Sequence, residues 1–318
     1  MSLASEIDCW FLTGPTASGK TSISIELARL IDAEIVSLDS MALYRCMDIG
    51  TAKPTIEERS EVPHHMIDVI EPSEEFSVSQ YVESAQLCVD KIRTHNHKIL
   101  FVGGTPLYLK AMLRGLFKGP PADWAFRKRL EQEALEHGPE SIQKRLAEVD
   151  PDAAKRLHPN DTRRLIRALE VYEKTGHPIS QLQQQFETAI PADACRVFVL
   201  DWPRSELYAR INRRVDLIFE AGLVDEVRKL LAESPSLGNT AQQAVGYRET
   251  IDYIEGKSTL VETIELVKRH TRQFAKRQCT WFRSLGECRF IPMATHVDPK
   301  QKAQQIVDTH DVNDRLPP

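Results

Sequence analysis

The stretch CWFLTGPTASGKT (9–21) constrains the fold of this chain more than any other. An apolar run, a glycine-bearing loop and the first turn of an amphipathic segment follow one another without a spacer. The loop itself, GPTASGKT, fits G-x-x-x-x-G-K-[ST], the phosphate-cradling pattern of many ATP- and GTP-binding proteins. Gly14 and Gly19 let the backbone turn so that successive N–H groups face one anion, with Pro15, Thr16, Ala17 and Ser18 as the body of the loop. A helix beginning near Gly19-Lys20 adds its partial positive charge, Lys20 adds a full one, and the Thr21 hydroxyl suits Mg²⁺. Such a loop reads phosphate oxygens and not a base. It requires a strand before it and a helix after it.

The sequence around the loop meets that requirement. Ile23, Leu27 and Leu30 recur at i, i+4 and i+7, which predicts one buried face for the following helix. EIVSLDS (34–40) reads as a second strand ending at an aspartate, and residues 77–95 as a helix with a stripe of Val78, Val82, Ala85, Val89 and Ile92. KILFVGGT (98–105) reads as another buried strand running into a glycine turn. Strands alternating with helices predict an α/β fold, a parallel sheet with helices on its faces and ligands beyond the carboxyl ends of its strands. The loops that matter are then 13–21, 39–45 and 103–108.

After FKGPPADW (117–124) the texture changes. Residues 121–195 read as a mainly helical insertion with breaks near Gly138-Pro139, Pro151, Pro159 and Gly176. RVFVLDW (196–202) returns to the sheet, and long helices follow at 204–220, 223–233 and 260–284. The expected organisation is a first core part over 1–120, the insertion, a core completion over 196–295 and a tail over 296–318. The tail is polar with no strong period, and partial disorder is expected there.

The chain of 318 residues carries a formal net charge of −5, so any nucleic-acid surface must be local. Six cysteines are scattered without a C-x-x-C pair, which predicts reduced thiols in a cytoplasmic protein. No apolar run reaches the roughly 20 residues that span a bilayer, so no membrane is expected.

The strand ILFV ends in Gly103-Gly104-Thr105, where an ATPase of this type would carry a magnesium-associated acid. The strand-end acid near the loop is instead Asp39. Three roles stand open for it: a displaced magnesium ligand, a general base toward an acceptor, or a helix N-cap.

LTGPTASGKT, SLDSMALYRCMDIGTAKP, VPHHMIDV, FVGGTPLYLKAML, HPNDTRRLIRALEV, AVGYRE and KRQCTWFR occur in this order. From about residue 8 to residue 290 the chain resembles the bacterial tRNA dimethylallyltransferases, or isopentenyl-transferases. Pro106 follows Thr105 where that pattern carries another residue, and proline suits the start of a helix. The resemblance implies a P-loop NTPase-like fold and one reaction. A dimethylallyl group passes from dimethylallyl diphosphate to N6 of the adenosine at position 37, beside the tRNA anticodon, and diphosphate leaves.

The residues suit that chemistry. The loop amides, Lys20 and a Thr21-bound Mg²⁺ would neutralise the leaving diphosphate. N6 is a weak nucleophile, and a carboxylate taking its proton would help; Asp39 is the candidate base. Thr105 would bond near the amine or the departing oxygen, or cap a helix, and Thr16 is a further contact. In RINRRVDLIFEAGL, Arg210 and Arg214 share one helical face; the resemblance favours Arg214 as a diphosphate clamp.

An anticodon loop, its bases already unpaired, needs basic and planar partners. DTRRLIRALEVY sets Arg163, Arg164 and Arg167 beside an apolar stripe, which predicts arginines facing solvent and free for phosphates. FRKRLEQE presents Arg127, Lys128 and Arg129. KRHTRQFAKRQCTWFR (268–283) carries Lys276, Arg277, Arg283 and Trp281 with no acid to neutralise it locally. QQAVGYRE adds Gln243, Gly246, Tyr247 and Arg248 as a base-reading or stacking loop. By resemblance the RNA also meets Asp39, Ser40, Met41, Ala42, Thr105, Leu165 and Ile166, with Arg127 near the flipped nucleotide. His64 and His65 lack further ligands at metal spacing and read as structural or substrate-lining. A monomer is expected. The competing readings are a small-molecule P-loop kinase, an enzyme prenylating free adenylate, and a non-catalytic RNA-binding module. The basic helical segments argue against the first two, and the intact phosphate loop against the third.

Overall fold

The structure, a computed structural model, describes residues 9–117, 119–183, 191–233 and 236–314. The chain divides into two compact units, Met1–Leu113 with Ala189–Pro318, and Arg114–Thr188.

The first unit is built on a parallel sheet. Its strands are β1 (Cys9–Thr13), β2 (Ala33–Ser37), β3 (His64–His65), β4 (Lys98–Gly103), β5 (Val197–Asp201) and β6 (Cys288–Pro292), in the order β3-β2-β4-β1-β5-β6. β1 and β2 are buried along their whole length, as strands covered on both faces must be. Alternation divides the core: Cys9, Phe11, Phe101 and Val199 enter one apolar layer, while Trp10, Leu12, Leu100 and Leu200 enter the other. The strands before β4 lie to one side of β1 and those after it to the other. The loop after β1 therefore opens at the carboxyl edge where the order reverses.

The helix Lys20–Ile31 buries Ile23 and Leu27 as expected, but Leu30 is 43% exposed. Ile31, four residues after Leu27 and one turn on, takes the buried place. The strand predicted over 34–40 stops at Ser37, because the chain turns at Asp39. β3 and β6 were not anticipated. β6 is an edge strand in which Cys288 and Ile291 are buried while Phe290 is 37% exposed and Pro292 ends it, so it lacks a continuous apolar run. The tail also departs from expectation. Pro299–Asp314 is a helix packed on Lys20–Ile31, with Ala303 and Ile306 fully buried and Val307 beside them. Apolar residues at i, i+3 and i+4 suffice to dock it, although polar residues dominate its composition.

The second unit holds the helices Trp124–His137, Pro139–Val149, Pro151–Arg156, Thr162–Thr175 and Ile179–Leu182. Phe126, Leu130, Ile142, Leu146, Leu165 and Leu169 form its core. The expected breaks fall between helices, with Gly138 at φ 81° and Gly176 at φ 72° ending two of them. The unit begins at Arg114 rather than 121, because Phe117 packs on its core and the Pro120 carbonyl accepts from Arg167.

No disulfide joins the described cysteines. Among the described residues no helix is long and apolar enough to cross a membrane.

Candidate active site

The phosphate loop is braced from outside. Trp202 Nε1 donates to Ser18 O at 2.9 Å, and Arg210 Nε donates to Ala17 O at 2.9 Å. The Arg210 guanidinium lies 4.3 Å from the Trp202 ring centroid, so the two side chains brace the loop together. A peptide's C=O and N–H point in opposite directions. Pulling Ser18 O toward Trp202 therefore turns the Gly19 N–H the other way. Gly19 sits at φ 87°, a left-handed conformation that glycine adopts without strain. Gly14 has φ 151°, which L residues rarely adopt, and a Cβ there would also be tight, 3.0 Å from Ser18 Oγ and 3.1 Å from Leu200 O.

Inside the loop, Lys20 Nζ donates to Gly14 O at 3.1 Å and Pro15 O at 2.9 Å. Burial pulls its ammonium down to about 8; the Asp39 carboxylate opposes that shift and the Arg214 guanidinium adds to it. Burial likewise lowers Arg214, again against Asp39. Arg214 Nη2 donates to Thr51 O at 3.2 Å. Two half-buried cations and one carboxylate thus share a field with a surplus of positive charge, which an anion would offset. Arg214 joins this group. Arg210, the other sequence candidate, spends its Nε on Ala17 and its face on Trp202, and acts as a brace.

The segments that carry Asp39 and Thr105 meet at the ends of β2 and β4. Leu38 N donates to Val102 O, and Thr105 N donates to Leu38 O at 3.1 Å. Thr105 Oγ1 accepts from Ser40 N at 3.0 Å, and Asp39 Oδ1 accepts from Met41 N at 2.9 Å. Gly103 is needed for this approach, since a Cβ there would lie 2.1 Å from the Leu38 carbonyl oxygen. Thr105 also precedes the helix Pro106–Arg114, so Pro106 sits at a first helical position, where its missing N–H costs nothing.

Sequence reasoning missed three supports of this site. Gln278, buried on the helix Leu260–Arg283, accepts from Thr16 N at 2.9 Å and donates to Gly104 O at 2.5 Å. Glu226 accepts from the backbone of Asp48, Ile49 and Gly50, just before Thr51. Trp202 is the third. The available signal for Gln278 was its spacing: Ala275, Gln278 and Phe282 fall at i, i+3 and i+7, so a polar residue occupies the buried stripe.

The RNA candidates divide. Ser40 and Met41 are half-buried and Ala42 is buried. Lys276, Arg277, Gln243 and Arg248 are exposed, and Trp281 is half-buried. Arg163 is exposed, as is Arg164, which pairs with Asp161 at 3.3 Å. Leu165 and Ile166 lie in the core of the helical unit, so their side chains are withheld from RNA. Tyr247 is buried too: its hydroxyl donates to Glu226 at 2.6 Å and its ring fills the space beside Gly50. Gly246, at φ 99°, is buried beside it. Arg167 is not free, because it bonds Glu170 and the Pro120 carbonyl. Nor is the 268–283 segment left without acids. Lys268 pairs with Asp216 at 2.8 Å and Glu265 at 2.9 Å, and Arg283 reaches Asp201 at 3.3 Å. The acids come from other elements or the preceding turn, which the segment alone does not reveal. His65 Nε2 bonds Glu34 at 2.6 Å and His64 Nδ1 bonds Val62 O at 2.7 Å, a structural use of both rings.

Comparison with known proteins adds the decisive observation. The family described as IPP transferase matches residues 42–285. The chain belongs to the IPP transferase family. A tRNA dimethylallyltransferase of Rhodopirellula baltica is 47% identical over 290 residues, covering 89% of this chain and 87% of that protein. The crystal structure of a tRNA isopentenylpyrophosphate transferase from Bacillus halodurans superposes with a TM-score of 0.69 at 39% identity, over 96% of each chain. A eukaryotic dimethylallyltransferase, caught acting on tRNA, reaches 0.77 at 27% identity, over 97% of this chain and 80% of its own. The IPP transferase match begins beyond the phosphate loop, so the loop and the family match are separate observations.

Proposed function

We propose that this protein transfers the dimethylallyl group of dimethylallyl diphosphate to N6 of adenosine 37 in a tRNA anticodon loop, releasing diphosphate. The observation that carries this reading is the cationic pair Lys20 and Arg214 set around Asp39, in a member of the IPP transferase family.

The chemistry follows from that placement. The diphosphate binds against the Gly19 amide, Lys20 and Arg214. As the allylic C–O bond breaks, its electrons go to the diphosphate oxygen, whose new charge these groups stabilise. N6 attacks the allylic carbon, and its proton passes to the Asp39 carboxylate. Asp39 is held for this by its bond from Met41 N, and Thr105 holds the adjoining Ser40. Thr21, half-buried at the head of the helix next to Lys20, offers a hard oxygen that would hold Mg²⁺. When bound, the ion would supply further charge neutralisation to the leaving group.

Exposed Arg163, Arg164, Lys276, Arg277 and Arg248 supply phosphate contacts to the anticodon stem-loop. The test is to incubate the protein with dimethylallyl diphosphate, Mg²⁺ and unmodified tRNA and assay prenylated adenosine in the RNA. Turnover of ATP without prenyl-adenosine would establish a kinase instead, and product formed only on free AMP would establish an adenylate prenyltransferase.

A further inference from the structure

The helical unit carries a tryptophan that its core does not use. Trp124 opens the helix Trp124–His137 and is 63% exposed, although a large aromatic side chain normally gains by burial. One turn on, the Arg127 guanidinium lies 5.1 Å from the Trp124 ring centroid. That guanidinium is held. Its Nε and Nη2 donate to the two oxygens of Glu170 at 2.9 Å and 2.7 Å, a two-point fork that fixes its plane. Glu170 is completely buried, and it also accepts from Asp123 N at 2.6 Å and from Arg167 Nη1. Its carboxyl stays below the ordinary range: burial would raise it, but the Arg127 and Asp123 hydrogen bonds outweigh that.

The local charge is positive. Glu170 and Asp123 face Arg127, Arg167 and Lys174, the last 3.2 Å from Asp123. Exposed Arg163 and Arg164 lie on the helix that carries Glu170. A planar aromatic backed by a fixed cation, in a basic surround, suits an unpaired nucleobase flanked by phosphates.

We infer that Trp124 is a stacking subsite for an unpaired base of the RNA substrate, and that buried Glu170 is its positioning residue, acting through Arg127. This rests on the tRNA reading above and specifies where the helical unit grips the RNA. The base stacks on the indole face turned away from Arg127, and the guanidinium edge meets its phosphate. Glu170 touches no substrate.

The experiment compares wild type, Trp124→Ala, Trp124→Phe and Glu170→Gln in steady-state prenylation. Intrinsic fluorescence is titrated in parallel with an unmodified anticodon stem-loop RNA. Trp124→Ala should raise the tRNA KM roughly ten-fold while leaving the donor KM and the rate at saturating tRNA near wild type. Trp124→Phe should recover most of the loss, and the RNA-induced quenching seen in wild type should shrink in Trp124→Phe. Glu170→Gln should raise the tRNA KM by a similar factor, and Trp124→Ala added to it should cost little more. An unchanged tRNA KM together with undiminished quenching in Trp124→Phe overturns the inference. So does a loss in Glu170→Gln that falls on kcat and thermal stability alone. Wild type that prenylates no tRNA defeats the parent reading instead, and the fluorescence titration still decides whether Trp124 meets RNA.

Discussion

The side-chain oxygen of Gln278 accepts the backbone N–H of Thr16 at 2.9 Å, joining the longest helix to the phosphate loop. Through Gly104 O the same amide also holds the turn that carries Thr105. Gln278→Leu leaves the buried Gly104 carbonyl unpaired, at a cost of about 1–3 kcal/mol, and the half-buried Thr16 N–H without its partner. The expected outcome is a lower denaturation midpoint and a fall in kcat/KM for both substrates. Gln278→Glu keeps the acceptor for Thr16 and loses the donor to Gly104, so its loss should fall mainly on kcat.

Asp39→Asn keeps a side-chain oxygen for Met41 N but removes the proton acceptor. Single-turnover transfer should slow by roughly 10²–10⁴-fold, the usual contribution of general-base catalysis, with tRNA affinity within a few-fold of wild type. A parallel collapse of tRNA binding, measured by filter retention, would make Asp39 a structural residue.

Lys20 links activity to pH. Its folded value of about 8 lies below the 10.5 of a free lysine. Between those limits the unfolded chain holds a proton that the folded chain has released, so stability rises with pH across that window. Diphosphate needs the charged form. Its affinity should hold below pH 8 and fall about ten-fold per unit above it. Calorimetric titration of inorganic diphosphate from pH 7 to 9.5 tests this, and Lys20→Met should bind weakly at every pH and lose the rise in stability.

Tyr247, which its sequence neighbourhood assigns to RNA, is buried against residues 48–50, and under the proposed reaction it supports the donor side. Its hydroxyl meets Glu226, which gathers the amides of residues 48–50 before Thr51, the residue that receives Arg214. Tyr247→Phe should raise the donor KM a few-fold and leave the tRNA KM unchanged. Gly50→Ala places a Cβ 2.4 Å from the Tyr247 ring and should lower stability by about 1–3 kcal/mol, read by denaturant unfolding.

Local order decided how much the sequence revealed. The phosphate loop was legible because strand, loop and helix are consecutive residues whose roles depend on backbone geometry. β1, β2, β4 and β5 were legible because strands buried on both faces show as apolar runs. β6 and the helix Pro299–Asp314 were not, since an edge strand and a mostly polar helix each need only a few buried residues. The arginines misled for a related reason. Arg163 and Arg167 look alike in the sequence, but a buried acid three residues on captures only one of them.

The sequence by itself determined that this chain makes a strand, glycine loop and helix in succession at a parallel sheet's edge and places Asp39 and Thr105 at neighbouring strand ends. Periodicity and backbone permissiveness act over a few residues, and a reader of the chain sees those few residues together. Only the tertiary structure decided which cations remain for ligands and which serve the fold. Arg214 shares the field of Asp39 and Lys20, Arg210 braces Ala17, and Arg167 is bound to Glu170. A charge takes its role from the counter-charges and carbonyls that packing brings to it, and for Arg210 and Arg214 those partners are more than a hundred residues away in the chain.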